Sequence, residues 1–262
     1  MRFVLFMLMV LVCSFGSAAQ EEAVSGTVIA HGGGALTQEV IETLCELCGE
    51  PAKLVIIPTA SRVADRETYR EKLIEQWKAM GFDEVTVLHT NSRGEAQKSY
   101  FAVPISNAGC VWIGGGSQSR LEDIYVGTAV QDALHALLDR GGVIAGSSAG
   151  AAIMSNIIIR HGNPEPEEGR GFALVPESII LDQHFIVQQR QPRLLRMLER
   201  HPEHIGFGID EDTAIVFHGD EHFVLGKSVV MRCADQTCVR LEPRPGSKSI
   251  SDTLGNWRSS GH

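Results

Sequence analysis

The stretch GVIAGSSAGAAIM, residues 142–154, is the most informative part of the sequence. Its first part is apolar and β-favouring, its centre GSSAG fits G-x-S-x-G, and a helix-forming part follows. This order predicts a strand that turns sharply into a helix, with Ser148 on the turn and Gly146 and Gly150 allowing the tight backbone. Ser148 is therefore a candidate nucleophile beside free N–H groups that can stabilise an oxyanion. The alternative is a glycine-rich loop that only joins a strand to a helix.

The composition allows one large core and argues against nucleic acid as a partner. Of the 262 residues, 44% are hydrophobic and 21% are charged. The formal net charge is −9, and no Lys/Arg-rich run interleaved with aromatic residues occurs. We expect a single α/β domain over residues 20–245 and a flexible Ser/Gly/Pro-rich tail over residues 246–262.

Residues 1–19 have the pattern of a secretory signal peptide. Arg2 supplies the positive start, residues 3–12 form an apolar core, and small residues at 17–19 precede Gln20. The apolar run is too short to span a bilayer comfortably. We therefore expect cleavage after Ala19, a secreted or periplasmic protein and no membrane association after cleavage.

Five cysteines remain after that cleavage, and export makes disulfides feasible. Cys233 and Cys238 could pair across a hairpin, whereas a bridge between Cys45 and Cys48 would strain a helical pattern. Cys110 lies in an apolar strand pattern, and we expect it to be a buried small hydrophobe. The spacing of these cysteines does not match a zinc motif, so no metal is predicted.

Strand and helix patterns alternate along the first half of the chain, which predicts a mostly parallel sheet flanked by helices. Short strands are expected after a polar loop at 162–171. The predicted strands are 27–30, 54–57, 84–88, 109–113, 143–145, 178–181, 213–217, 223–230 and 233–241, and the predicted helices are 38–47, 66–80 and 128–138.

Triple-glycine turns follow the first and fourth predicted strands, at 32–34 and 114–116. Neither fits G-x-G-x-x-G, and no phosphate-binding P-loop motif occurs, so nucleotide binding is the weaker interpretation and no cofactor is predicted. Close approach of the backbone to a substrate explains these turns better.

A serine nucleophile needs a base, and the base needs an orienting acid. Among the ten histidines, His31 could line the same sheet edge as Ser148. His184 stands out because it ends a strand pattern among polar residues. The candidate acids stand together before a strand-like run, and spacing alone does not choose among Asp210, Glu211 and Asp212.

Five segments, taken in order, resemble cyanophycinase and the related dipeptidase E-like serine peptidases. They are PTAS at 58–61, GGGSQSRL at 114–121, GSSAGA at 146–151, DQHF at 182–185 with arginines following, and GIDEDTA at 208–214. The resemblance covers about residues 28–230 and implies a flavodoxin-like α/β fold related to class I glutamine amidotransferases. It also implies a triad in the chain order Ser, His, Glu, which differs from the Ser, acid, His order of α/β-hydrolases.

Carried over by residue, the resemblance implies Ser148 as nucleophile, His184 as base and Glu211 as orienting acid. It implies backbone N–H groups of Ala149 and Gly116 as oxyanion donors. The positions that match the family's substrate-binding residues are Gln118, Asp182, Gln183, Arg190 and Arg193. The alternative to substrate binding is that Arg193 and Arg196 face solvent and have no functional role.

The chain departs from the family pattern at two positions. Ser117 replaces the family's Asp or Asn, and Gln188 replaces its first arginine after DQHF, although glutamine cannot pair bidentately with a carboxylate. These changes affect specificity and leave the triad intact.

The expected activity is hydrolysis of β-aspartyl peptide bonds, with a cyanophycin-like polymer as the first substrate, through an acyl-enzyme. The alternatives are an exported aspartyl or isoaspartyl dipeptidase, an esterase, and a non-catalytic binding protein of the same fold. A homodimer is left open.

Overall fold

Thirteen strands and eight α-helices make up the part of the chain that the structure, a computed structural model, describes: residues 26–219 and 221–243. The strands are β1 (Thr27–His31), β2 (Lys53–Ile57), β3 (Glu84–Val87), β4 (Cys110–Ile113), β5 (Val143–Ser147), β6 (Ile157–His161), β7 (Glu167–Arg170), β8 (Ile179–Asp182), β9 (Ile205–Ile209), β10 (Thr213–His218), β11 (Glu221–Gly226), β12 (Val230–Ala234) and β13 (Thr237–Leu241). The helices are α1 (Gln38–Cys48), α2 (Glu67–Ala79), α3 (Arg93–Ala96), α4 (Ser99–Ser106), α5 (Gln118–Tyr125), α6 (Ala129–Asp139), α7 (Ala149–Ala152) and α8 (Gln191–Arg200). The predicted signal peptide and C-terminal tail lie outside the described residues.

The largest sheet has seven strands in the order β11-β10-β1-β5-β4-β2-β3. Its five strands from β1 to β3 run parallel, and β10 and β11 extend it antiparallel beyond β1. The predicted α/β class, with a mostly parallel central sheet flanked by helices and extra short strands in the C-terminal part, is confirmed. In the described part of the chain, no helix combines the length and apolarity that a bilayer crossing needs.

Alternate side chains of the central strands enter two separate cores. Val28, Ile144 and Ile215 point to the face that α4, α5 and α6 cover. Ile29, Val143 and Ala145 point to the opposite face, which α1 and α2 cover. Because successive residues of a strand face opposite sides, apolar residues at every position bury both faces of the sheet.

The second half of the chain forms a smaller sheet in the order β13-β12-β9-β8. Its strands β8 and β9 are parallel, with Asp182 opposite Gly208. The apolar side of α8 packs against this sheet through Leu194 and Met197. The carboxyl ends of β8 and β9 therefore lie side by side, so the residues that follow each strand are placed next to one another.

The structure differs from the predicted elements in the second half. The segment 223–230 is not one strand, because Gly226 has φ +107 and separates β11 from β12. The polar loop at 162–171 contains β7, which pairs with β6. The sequence patterns also missed β6, β9 and the helices α3, α4, α5 and α8.

Two disulfides are present among the described residues. Cys233 and Cys238 pair across the β12–β13 hairpin, which is the pairing that the sequence allowed and left undecided. Cys110 is buried, as predicted, but it is bonded to Cys48 and does not act as a small hydrophobe alone. The pattern along one strand could not reveal this bond, because the end of α1 meets β4 only in the folded chain.

Candidate active site

Ser148 lies on the sharp turn between β5 and α7, with φ 55 and ψ −115. The two glycines around it leave space that a side chain would fill. A Cβ at Gly146 would lie 2.6 Å from the Gly150 carbonyl oxygen, and one at Gly150 would lie 2.0 Å from that of Ile113. The G-x-S-x-G pattern therefore folds into the strand–turn–helix that exposes one serine hydroxyl.

His184 contacts this hydroxyl, and Glu211 contacts His184. His184 follows β8, and its Nε2 lies 2.9 Å from Ser148 Oγ. Glu211 follows β9, and its Oε1 lies 2.6 Å from His184 Nδ1. If Nδ1 donates its proton to the carboxylate, Nε2 is the acceptor for the serine hydroxyl. This is the arrangement of a nucleophile, a base and an orienting acid.

The turn at 31–33 holds all three segments through consecutive carbonyl groups. Ser148 N–H donates to the His31 carbonyl at 2.9 Å, and His184 N–H donates to that of Gly32 at 2.7 Å. The N–H of Asp212, next to Glu211, donates to the Gly33 carbonyl at 2.8 Å. This first triple-glycine turn therefore approaches the candidate triad itself, and its approach to a substrate stays a prediction.

The second triple-glycine turn lies directly against the serine. A Cβ at Gly115 would be 3.3 Å from Ser148 Cβ, and Gly116 has φ +140. Within the described residues, no acceptor bonds to the backbone N–H groups of Gly116 and Ala149. These two groups are available to an oxyanion, and their role as donors stays a prediction.

A cavity of about 540 Å³ opens above the serine. Its lining is strongly polar, and three arginines contribute to it. Three lining residues carry no recognisable motif and were not predicted from the sequence: Arg160 and His161 of β6 and Asn163 of the following loop. The only signal for them was a polar stretch, which is also typical of a solvated loop.

The model of peptidase family S51 matches residues 25–225. The chain belongs to peptidase family S51. This S51 peptidase is 32% identical over 191 residues to the cyanophycinase of Geminocystis herdmanii (strain PCC 6308), covering 70% of this chain and 69% of that protein. It is 33% identical over 204 residues to the cyanophycinase of Trichormus variabilis (strain ATCC 29413 / PCC 7937), covering 74% and 67%.

Two solved structures have the same fold as this S51 peptidase. A peptidase from an acI-B1 Actinobacterium superposes with TM-score 0.68 at 23% identity, covering 83% of this chain and 94% of that one. A putative peptidase E from Listeria monocytogenes EGD-e gives TM-score 0.54 at 20% identity, covering 78% and 99%. S51 is a family of serine peptidases, so this chain is a serine-type peptidase that acts on peptide bonds.

Gln183 and Gln118, both predicted to bind substrate, are buried beside the serine of this S51 peptidase. Gln183 Oε1 lies 3.3 Å from Ser148 Oγ. Gln118 Nε2 donates to the carbonyl groups of Ile159 and Arg160, each at 2.8 Å. Gln118 therefore fixes the backbone of β6 at the rim of the cavity, in addition to lining the cavity itself.

Asp182 and Arg193, also predicted to bind substrate, bind each other. Arg193 Nε donates to Asp182 Oδ2 at 2.8 Å, and Nη2 donates to Oδ1. The Arg193 side chain is only 5% exposed and that of Asp182 only 1%, so the alternative that Arg193 faces solvent is wrong. The Asp182 carboxylate also accepts from the Gln183 N–H at 2.8 Å, and Asp182 is not among the residues that line the cavity.

Arg190 lines this cavity with a guanidinium that neighbouring groups hold in place. Its Nη1 donates to the Gln183 carbonyl at 2.9 Å, and its Nη2 donates to Gln188 Oε1. Burial lowers the pKa of Arg190, while the nearby Asp182 raises it. Gln188, the departure from the family pattern, therefore orients Arg190.

His31 is buried beside the triad and does not contact the serine hydroxyl. The N–H of Gly33 donates to its Nδ1 at 3.3 Å, so Nδ1 is an acceptor, and it also lies 3.0 Å from Ser147 Oγ. Burial lowers the pKa of His31 to about 4. A neutral His31 therefore supports the turn that holds the triad.

Proposed function

We propose that the S51 peptidase cleaves its substrate through a Ser148–His184–Glu211 triad and a covalent acyl-enzyme. The observation that carries the proposal is the pair of contacts at His184, 2.9 Å to Ser148 Oγ and 2.6 Å to Glu211 Oε1. Ser148 Oγ attacks the amide carbonyl while His184 Nε2 takes its proton. Glu211 holds the imidazole in the required tautomer and stabilises the imidazolium.

The remaining steps balance the proton and release both products. N–H groups of Ala149 and Gly116 stabilise the oxyanion, for which the loss of one donor typically costs about 3–4 kcal/mol. His184 gives its proton to the leaving amine, which departs as the amide bond breaks. Water then attacks the ester with the help of His184, which frees the acid and restores Ser148.

The substrate we propose is a β-aspartyl peptide, first of all a cyanophycin-like polymer. Asp182 forms ion pairs with both Arg190 and Arg193, and its Oδ1 lies 3.6 Å from Arg190 Nη1. The two arginines and one aspartate together carry one surplus positive charge beside the serine. A surplus cation favours a substrate that presents a carboxylate. The two curated relatives named above are both cyanophycinases.

An aspartyl or isoaspartyl dipeptidase is the second candidate. The loop after β6 bounds one side of the cavity, because Gly162 and Asn163 line it together with Ser148. Asn163 Nδ2 donates to the Gln188 carbonyl at 3.2 Å, and Arg193 Nη1 donates to that of Gly162 at 3.2 Å. A wall held in this way favours a short substrate or a chain end over the middle of a polymer.

We also propose that the enzyme acts after export, in the periplasm or outside the cell. The pattern of residues 1–19 supports export, and so do the two disulfides, because such bonds persist in oxidising compartments. Identification of the mature N-terminus by mass spectrometry of the expressed protein tests this. A chain that retains residues 1–19 would contradict it.

The experiment that tests the function compares substrates on the mature protein. Cyanophycin, a β-Asp-Arg dipeptide and an α-Asp-Arg dipeptide are each incubated with wild type and Ser148→Ala, and the products are identified by mass spectrometry. Release of aspartyl-arginine units from the polymer by wild type alone supports the first candidate. Cleavage of dipeptides without release from the polymer supports the second.

A fluorophosphonate probe separates catalysis from mere binding. Labelling of wild type that disappears in Ser148→Ala supports an activated serine. Absence of labelling together with tight, product-free substrate binding would contradict the proposal and leave a binding protein of the same fold.

A further inference from the structure

His201, Glu203 and His204 come together where α8 ends and β9 begins. One ring nitrogen of each histidine and one carboxylate oxygen of Glu203 lie within 4.8 Å of one another. Across residues 26–219 and 221–243 this is the only such group of three potential metal ligands. The His204 N–H donates to the His201 carbonyl at 3.0 Å, which keeps the turn between them tight.

His204 provides an independent sign that a ligand belongs here. Its side chain is only 8% exposed, and its Nε2 has no hydrogen-bond partner. Nδ1 lies 2.9 Å from Glu203 Oε1, at ion-pair distance. A buried polar nitrogen left without a partner is unfavourable, and most native structures avoid it. A metal ion that accepts the nitrogen lone pair would remove this cost.

We propose that His201, Glu203 and His204 bind one Zn²⁺ ion. Two imidazoles and a carboxylate are a ligand set that suits Zn²⁺, with a fourth position for water or another carboxylate. Both Glu203 and His201 have partly exposed side chains, so small rotations can bring the donor atoms to about 2.0–2.2 Å from an ion. This inference departs from the sequence prediction of no metal, which considered the cysteine spacing.

A glutamate of β7 completes the arrangement. Glu168 Oε2 lies 2.8 Å from His201 Nε2. A ligating histidine commonly donates its other ring N–H to a carboxylate, which fixes the tautomer and increases the basicity of the ligating nitrogen. Glu168 can therefore orient His201 so that Nδ1 faces the ion.

The position of this site indicates a structural role. It precedes β9, whereas Glu211 follows the same strand, and five strand residues separate the two ends by about 16 Å. The ion would join the end of α8 to β9 and, through Glu168, to β7. We therefore expect Zn²⁺ to raise Tm by about 5–10 °C at a hundredfold excess over its Kd, because it binds the folded chain. The rate of peptide cleavage should not require it.

The test uses the untagged mature protein after removal of metal with a chelator. Zn²⁺ binding is measured by calorimetry and by elemental analysis after desalting, and Tm is measured with and without Zn²⁺. The variants are His201→Gln and Glu203→Gln, which alter exposed or half-buried side chains and should fold. Glu168→Gln tests the orienting carboxylate, and His222→Gln, a partly exposed histidine outside the cluster, is the matched control.

The expected result is one Zn²⁺ per chain for wild type and His222→Gln. Saturable binding and the rise in Tm should be lost in His201→Gln and Glu203→Gln. Glu168→Gln should bind about 10–100-fold more weakly. Absence of saturable binding by wild type, or binding and a Tm shift that persist in both ligand variants, would overturn the proposal. Comparison of the metal-free Tm values identifies any variant that has lost its fold.

Discussion

The backbone of Ser148 occupies a conformation that a residue with a side chain adopts only under constraint, with φ 55 and ψ −115. Such a conformation costs about 1–3 kcal/mol and persists only when the surroundings determine it. Here the His31 carbonyl fixes the serine N–H, and the space left by Gly146 and Gly150 admits the turn. The hydroxyl itself contributes little to this constraint, so its removal should affect chemistry much more than stability.

Substitutions in the triad should separate these two effects. Ser148→Ala should reduce kcat by about 10⁴-fold or more, because no nucleophile remains. Glu211→Gln should reduce it by about 10²–10⁴-fold, because an amide cannot stabilise the imidazolium. Steady-state assays on the cleaved aspartyl peptide measure both effects, and thermal unfolding should show Tm within a few degrees of wild type. Full activity of Ser148→Ala with unchanged Tm would exclude the proposed nucleophile.

Gly33 should be required for the position of the base. A Cβ here would lie 2.2 Å from His184 Cε1, and φ is +108. Gly33→Ala should therefore lower stability by about 1–3 kcal/mol and activity by about 10²-fold, since the imidazole must move. Urea unfolding and kcat measure the two losses.

Gly141→Ala is the matched control for this substitution. Gly141 also has positive φ, +84, but a Cβ there would meet no atom within 4 Å. It should share the loss of stability that comes from backbone strain and retain full activity. Equal activity losses in the two variants would show that strain alone, and not displacement of His184, is responsible.

At this scale the sequence predicted the residues that meet and missed what holds them. Motif order and resemblance identified Ser148, His184 and Glu211, because the chemistry of each motif is local. The carbonyl groups of residues 31–33 that hold all three segments belong to no motif of the triad. Their role depends on contacts across more than 100 residues of chain, which no local pattern records.

At the scale of elements, the buried pair Asp182–Arg193 ties α8 to β8. Removal of one partner leaves the other charge buried and uncompensated, which typically costs about 3–5 kcal/mol. Arg193→Met should therefore destabilise the protein by that amount, and Asp182→Asn should do the same. Urea unfolding at neutral pH measures the change in the free energy of unfolding.

Arg196→Gln is the control on the same helix. Arg196 pairs with Glu165 at the surface, where the side chains are 39% and 72% exposed. Surface ion pairs contribute at most about 1 kcal/mol, so this variant should remain close to wild type. A small effect of Arg193→Met combined with a large rise in KM would instead indicate that Arg193 binds substrate directly.

Elements that the sequence missed have recognisable physical causes. The helix α5 begins directly after the triple-glycine turn, and only the Ser117 side chain, which accepts from the Arg120 N–H, marks its start. The strand β9, Ile205–Ile209, is short and carries two glycines, which are unfavourable in strands. It forms because β8 and β12 pair with it on both sides. Long amphipathic helices such as α1 and α6 show a helical repeat of apolar residues in the sequence, and both were predicted within one or two residues.

At the scale of the molecule, the Cys48–Cys110 disulfide links residues 62 positions apart. In the chain-entropy account, a loop of this length is worth about 4 kcal/mol, compared with about 2 kcal/mol for the short loop closed by Cys233 and Cys238. We expect Cys48→Ala/Cys110→Ala to lower the free energy of unfolding more than Cys233→Ala/Cys238→Ala does. Guanidinium unfolding of the two double variants measures the difference. The opposite order would indicate that native packing, and not loop closure, dominates.

The stability of the whole molecule should fall as the pH falls below about 6.5, in part because of His31. Burial lowers its folded-state pKa to about 4 from 6.5. Between these values the unfolded chain binds a proton that the folded chain does not, so lower pH favours unfolding. Above pH 6.5 both states are neutral at this residue and the effect disappears. The contribution of His31 to the free energy of unfolding should fall by about 2 kcal/mol between pH 7 and pH 5.

His31→Asn isolates the contribution of His31. The asparagine Oδ1 can replace the histidine Nδ1 as acceptor for the Gly33 N–H, and the asparagine side chain is not protonated between pH 5 and pH 7. Burial also lowers the pKa of His89 and of His222, which act in the same direction and remain in the variant. Urea unfolding at pH 7 and pH 5 should therefore show a weaker loss of stability in His31→Asn than in wild type. Parallel curves for the two proteins would mean that His31 is protonated in the folded state, and the turn at 31–33 would then have to hold the triad around a charged imidazole.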